Sequence, residues 1–176
     1  VKAADMDKDG LGLPLWAGAR SIILGCGNIL LGDDGFGPGV ARYIEENLDI
    51  PPDICVLDVG TTVRKILFNL VLGDKPERLV IVDAIDRGRN PGEVFEVPLD
   101  DLGPILRSDD YVSHLGPTSN LLFDLRNERG IEIRILACQV SETAEYLGTP
   151  LTPAVEASIP AAAEVALELA VSSERD

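Results

Sequence analysis

The chain has 176 residues, 45% of them apolar, which is enough for one domain with a proper core. No apolar run approaches the ~18 residues of a membrane span, and residues 1–20 lack the continuous apolar stretch of a cleavable signal. Fifteen basic against thirty acidic residues leave a formal charge of −15, which argues against sequence-independent nucleic-acid binding, because that needs a basic face to displace phosphate counterions. The charge fits a solvated cytoplasmic protein or a partner with a basic surface, though solubility alone would also account for most of it. Cys26, Cys55 and Cys138 show no CxxC spacing and leave one thiol over, so a reducing compartment is expected rather than a disulfide framework.

In chain order, residues 1–19 read as an N-terminal arm or appended remnant, held only through Trp16, and residues 20–176 as the folded domain. Strands are predicted at Ser21–Gly25, Ile54–Asp58, Leu79–Asp83, Glu93–Val97 and Glu132–Gln139. Helical spacing occupies Gly39–Leu48, Val63–Leu72, Pro117–Arg129 and Pro153–Val171. This alternation predicts an α/β fold, a three-layer α/β/α sandwich around a mostly parallel five-stranded sheet, with Glu93–Val97 at one edge. Val80-Ile81-Val82 is apolar throughout, as in a strand covered on both faces. Val63, Ile66, Leu67 and Leu70 form one stripe that should pack on the sheet. In the last helix Thr152 can cap and Pro153 suits the first position, while Pro160 predicts a kink or a restart.

The junction after the first strand, Gly25-Cys26-Gly27-Asn28-Ile29-Leu30-Leu31-Gly32-Asp33-Asp34-Gly35-Phe36-Gly37-Pro38, is the most informative stretch. Glycines there let the backbone turn sharply and approach a ligand. Two adjacent carboxylates are costly unless water, a cation or a metal meets them. In an open parallel sheet, ligands collect beyond the carboxyl ends of the strands. Three polar residues are expected to converge there: Asp34 in the first loop, Asp83 at the end of the third strand, and His114, the single histidine. Two carboxylates and an imidazole are an incomplete ligand set for a borderline divalent cation such as nickel or zinc, with positions left for a substrate. Each also has a structural reading: Asp34 as a helix cap, Asp83 as a loop stabiliser, His114 as an ordinary surface or core histidine. A dinucleotide site is the competing motif, with Gly25-x-Gly27 after a strand and Asp58 as the ribose acid, but Leu30 stands where the third glycine belongs. Neither GxSxG nor HExxH occurs. Cys26, between two glycines, could be either a reactive thiol or a small core residue.

Residues Gly27 to Gly37 resemble the opening signature of the nickel–iron hydrogenase maturation endopeptidases. The resemblance continues through Asp58-Val59-Gly60-Thr61, Val82-Asp83-Ala84-Ile85, Ser113-His114, Gln139 and Leu151-Thr152-Pro153-Ala154-Val155-Glu156, spanning roughly residues 21–171. The Gly-Cys-Gly-Asn start is similar to the archaeal branch that serves the deazaflavin-reducing hydrogenase. The chain departs from the pattern after Asp58, around His114 and in having Val-Ser after Gln139, none of which removes a proposed ligand.

The resemblance implies a peptidase that removes a C-terminal peptide from the precursor of a hydrogenase large subunit once nickel is in place. It carries Asp34, Asp83 and His114 over as the residues that contact this nickel and perform the cleavage. Gly27, Asn28, Asp33 and Gly35 would form the substrate loop. Nickel comes with the substrate, and no tightly bound cofactor is expected in the free protein. A non-catalytic module that checks the metal or binds the precursor is the alternative, and a nucleotide-binding protein the more distant one.

Overall fold

In the computed structural model, which describes residues 14–73, 75–102, 119–141 and 146–171, the apolar run at Ser21 forms strand β1 (Ser21–Cys26), buried at every position. Helix α1 (Phe36–Asn47) leads to β2 (Ile54–Gly60), and α2 (Val63–Leu72) to β3 (Arg78–Ile85). After the short β4 (Val94–Glu96) come α3 (Ser119–Asn127), β5 (Glu132–Gln139) and α4 (Pro153–Val171). The strands form one sheet in the order β2-β1-β3-β5-β4. All neighbours run parallel except β4, which is antiparallel on the edge beyond β5. The predicted α/β/α architecture and its edge strand are therefore present.

Strand alternation sorts the core into two layers. Ile22 and Leu24 of β1, Leu79 and Ile81 of β3, and Ile135 of β5 share a cluster with the α2 stripe Val63, Ile66, Leu67 and Leu70 and with Leu122 and Leu125 of α3. Ile23, Val80, Val82 and Leu136 face the other way, against Phe36, Val40 and Ile44 of α1 and Ala162, Ala163 and Ala166 of α4. Full burial of one aliphatic side chain stabilises by roughly 1.5–3 kcal/mol, so the α2 stripe alone is a major anchor. Trp16 is buried in the first cluster, with Leu15 and Ala19 packed against it, so Trp16 does hold this segment but not alone.

Two expectations need correction. Helix α4 is continuous through Pro160, so there is no restart. Pro160 and Glu156, whose carbonyl loses its partner there, are both exposed, and water can satisfy that carbonyl while the alanines opposite hold the helix to the sheet. Asp83 also does not end β3, because pairing with β5 continues through Ile85↔Gln139. On the β1 side, however, pairing stops at Gly25↔Val82. Asp83 is thus the first β3 residue beyond the reach of β1, where the sheet opens.

Helix α4 is fastened at its carboxyl end to the far edge of the sheet. Buried Arg78 donates through Nη1 to the carbonyls of Leu169 (3.0 Å) and Ala170 (3.3 Å), and through Nε and Nη2 to Glu132 Oε2. Ser21 Oγ also donates to the Ala170 carbonyl (2.8 Å). Terminal carbonyls that lack helical partners thereby gain a cation and a hydroxyl.

Candidate active site

The connection from β1 to α1 is set by how closely the helix start presses on the strand ends. A Cβ on Gly37 would overlap the carbonyl oxygens of Cys26 and Val82, and one on Gly25 would overlap the Gly37 carbonyl. Gly27 has φ +133, and a Cβ there would run into the carbonyl oxygen of Asp34. The Gly25-x-Gly27 pair is thereby accounted for by backbone packing, without a pyrophosphate. Gly35, in a 3₁₀ turn over Gly32–Gly35, lies under Ile29, whose Cα would be 3.2 Å from an added Cβ.

The two adjacent carboxylates have different surroundings. Asp33 is 2% exposed. Its Oδ1 accepts from Thr152 N (2.7 Å), and its Oδ2 accepts from Ser141 N (2.8 Å) and Thr152 Oγ1 (3.1 Å). Protein donors meet this charge, so the expected water or cation is not needed at Asp33. Thr152 holds the capping position of α4, since its carbonyl accepts the first helical bond from Glu156 N (2.9 Å). Asp33 therefore joins the first loop, the end of β5 and the start of α4. Asp34 is only partly buried, and its Oδ2 accepts from Asn28 N (2.9 Å), which folds the loop back on itself. Asn28 Oδ1 in turn accepts from Leu30 N (3.0 Å).

Asp83 is fully buried, with Oδ1 accepting from Ala84 N at 2.9 Å. Asp58 does not end β2, which continues to Gly60, and it accepts from Gly60 N (3.1 Å). Between them lies Cys26, wholly buried, whose thiol is pushed well above its ordinary range by desolvation and then by the negative charges of Asp83, Asp58 and Asp34. A thiol held in its neutral form is a poor nucleophile, so the structure makes Cys26 a core residue. Asp34, Asp58 and Asp83 stand on the segments at the carboxyl ends of β1, β2 and β3, and the charge of each acts on this thiol.

A fourth residue stabilises the rim. Gln139, 3% exposed at the end of β5, accepts on Oε1 from Arg87 N (2.8 Å) and Arg89 N (3.1 Å). Its Nε2 donates to Asp86 Oδ1 (2.9 Å) and to the Val140 carbonyl (3.0 Å). The amide thus holds the turn that follows Asp83, and it keeps the Asp86 carboxyl below its usual range. From the sequence Gln139 was a strand terminus with no assigned role.

His114 lies outside the described residues. Among the described residues no group of three His, Cys, Asp or Glu side chains is placed to hold a metal ion. Of the three expected ligands, Asp34 and Asp83 are described, on the loop after β1 and on β3 where pairing with β1 stops; two carboxylates alone would leave a cation short of ligands.

A family model described as hydrogenase maturation protease matches residues 38–169. A putative hydrogenase maturation protease of Methanocaldococcus jannaschii is 32% identical over 148 residues, covering 84% of this chain and 92% of that one. The coenzyme F420 hydrogenase subunit delta of Methanothermobacter thermautotrophicus is 30% identical over 154 residues, covering 85% and 94%. Among solved structures, the hydrogenase maturating endopeptidase HybD of E. coli superposes with a TM-score of 0.69 at 26% identity, covering 83% of this chain and 88% of that one.

Proposed function

Because this chain belongs to the hydrogenase maturation protease family, we propose that it is the endopeptidase that trims the C-terminal peptide from a nickel-loaded hydrogenase large-subunit precursor. The observation that carries this reading is the pair Asp34 and Asp83 at the end of the sheet where β1 and β3 part, one partly exposed on the loop after β1 and one buried in β3. Two carboxylates and the imidazole of His114 suit a borderline cation but do not complete its coordination sphere. The precursor supplies the nickel and the remaining ligands. The carboxylates bind it ionised, and His114 binds it neutral.

Nickel so held can polarise the scissile carbonyl or activate a bound water. This gives a hydrolytic route to a chain with neither a nucleophile elbow nor a zinc helix, and whose Cys26 thiol is buried. An empty precursor cannot complete the site, so cleavage reports that nickel insertion has occurred. The resemblance of the Gly25–Asn28 start to the archaeal branch, together with the two archaeal relatives, supports a hydrogenase that reduces a deazaflavin as the client.

The test is to incubate the protein with nickel-loaded and metal-free precursor and to weigh the products by mass spectrometry. Loaded precursor should lose a C-terminal peptide, and empty precursor should stay whole. Equal cleavage of both would remove the metal check while leaving a peptidase. Binding without cleavage of either would make the protein a precursor-binding module.

A further inference from the structure

Next to Asp34 lies an apolar surface with no role in the fold. Ile29 is 58% and Leu30 49% exposed, and across from them Tyr146 is 74% and Leu147 76% exposed. These make up half of the eight exposed large hydrophobic residues among the described residues. Backbone bonds bring the two segments together: Gly148 N donates to the Leu30 carbonyl (2.7 Å), Gly32 N donates to the Thr149 carbonyl (3.1 Å), and Leu31 bridges Thr149 in parallel. Single exposed apolar side chains are ordinary on a protein surface, but four on two abutting segments are not.

We propose that this lip is the docking surface for an apolar, non-acidic stretch of the precursor polypeptide, which it delivers to Asp34. The proposal rests on the peptidase reading above. Two observations choose the occupant. The lip is continuous with Asp34, since Ile29 and Leu30 follow Asn28, whose N–H is bonded to the Asp34 carboxylate, and Ile29 packs against Gly35, so a chain bound at Asp34 has these side chains beside it. A second copy of the protein would bring its own charge of −15 against the first, and this repulsion disfavours self-association. An apolar segment that is neutral or basic avoids that repulsion and covers the four side chains.

The experiment compares Ile29→Ser/Leu30→Ser, Tyr146→Ser/Leu147→Ser and the fourfold variant with wild type, using nickel-loaded large-subunit precursor from the same genome. Binding is measured by calorimetry and cleavage by mass spectrometry. Phe68→Ser/Leu72→Ser, which removes two exposed apolar side chains from α2, serves as the control. The expected result is a rise of at least tenfold in Kd and KM for the fourfold variant, with kcat within twofold, an unchanged circular dichroism spectrum, and a control indistinguishable from wild type. Wild-type Kd and KM in the fourfold variant, or an equal loss in the control, would overturn the lip while leaving the peptidase. Lip-dependent binding with no cleavage by wild type would overturn the peptidase and keep the lip. A wild-type protein that neither binds nor cuts the precursor would overturn both.

Discussion

Asp33 and Asp34 are adjacent and chemically identical, yet substituting them should have opposite effects. Asp33→Ala removes the acceptor of two amides and a hydroxyl in part-buried bonds, at a cost of about 1–3 kcal/mol, read as a fall in Tm. Asp34→Ala should melt closer to wild type but lose cleavage of loaded precursor, and Asp34→Glu should retain part of it. The thiols give a second expectation. Cys138, paired with Ser158 Oγ at 3.5 Å, is pushed by burial from 9.0 to about 11. The folded state therefore holds this proton more tightly than the unfolded chain. That stabilisation is complete below the unfolded thiol pKa and is lost as pH rises toward 11, so denaturant midpoints should fall across this alkaline window. At pH 8 the native protein should resist alkylation at Cys26 and Cys138, both fully buried, with all three cysteines reacting once it is unfolded. Nothing local in the sequence distinguishes Asp33 from Asp34, because the partners of Asp33 lie 108 and 119 residues away.

Strands and helices were legible because periodicity and β-branched runs are local properties. The α1 start is three residues earlier than its pattern, since Phe36 and Pro38 pack as part of the first turn. The Gly-rich junction was legible as a tight place, but not as one made tight by a helix rather than by a ligand. Glycines that look alike in sequence should therefore differ when substituted. Gly37→Ala puts a methyl against two backbone carbonyls that cannot move independently, and a loss above about 4 kcal/mol is expected. Gly88→Ala meets nothing within 4 Å and bears only the strain of φ +65, about 1–2 kcal/mol. Urea melts of the two variants check the contrast. The role of Gln139 was hidden for a different reason: it bonds three backbone groups and a carboxylate on neighbouring loops, contacts that no spacing rule encodes.

For the molecule as a whole, the charge of −15 is only locally offset. Ion pairs such as Arg126–Asp100 and Arg89–Glu93 are exposed, and solvent screening leaves such pairs little stabilising effect. Self-repulsion should outweigh them, so raising salt from low to moderate concentration should increase Tm, as calorimetry can measure. A fall would mean that the ion pairs matter more than the net charge. No helix among the described residues is long and apolar enough to cross a membrane, and half of the exposed large apolar side chains described lie on the two segments beside Asp34.

The bonds of Asp33 also bear on the protein's own synthesis. The loop that carries Asp34 emerges from a ribosome early, but its fastening points at Ser141 and Thr152 emerge more than a hundred residues later. The carboxyl end of α4 must follow before Arg78 and Ser21 can grip it. A nascent chain stalled near residue 140 would have all five strands translated, yet the loop that carries Asp34 would lack the bonds of Asp33 to Ser141 and Thr152. The loop should therefore settle only when the last helix is complete. Limited proteolysis of arrested chains should find cuts around residues 28–35 until α4 clears the exit tunnel, and protection thereafter.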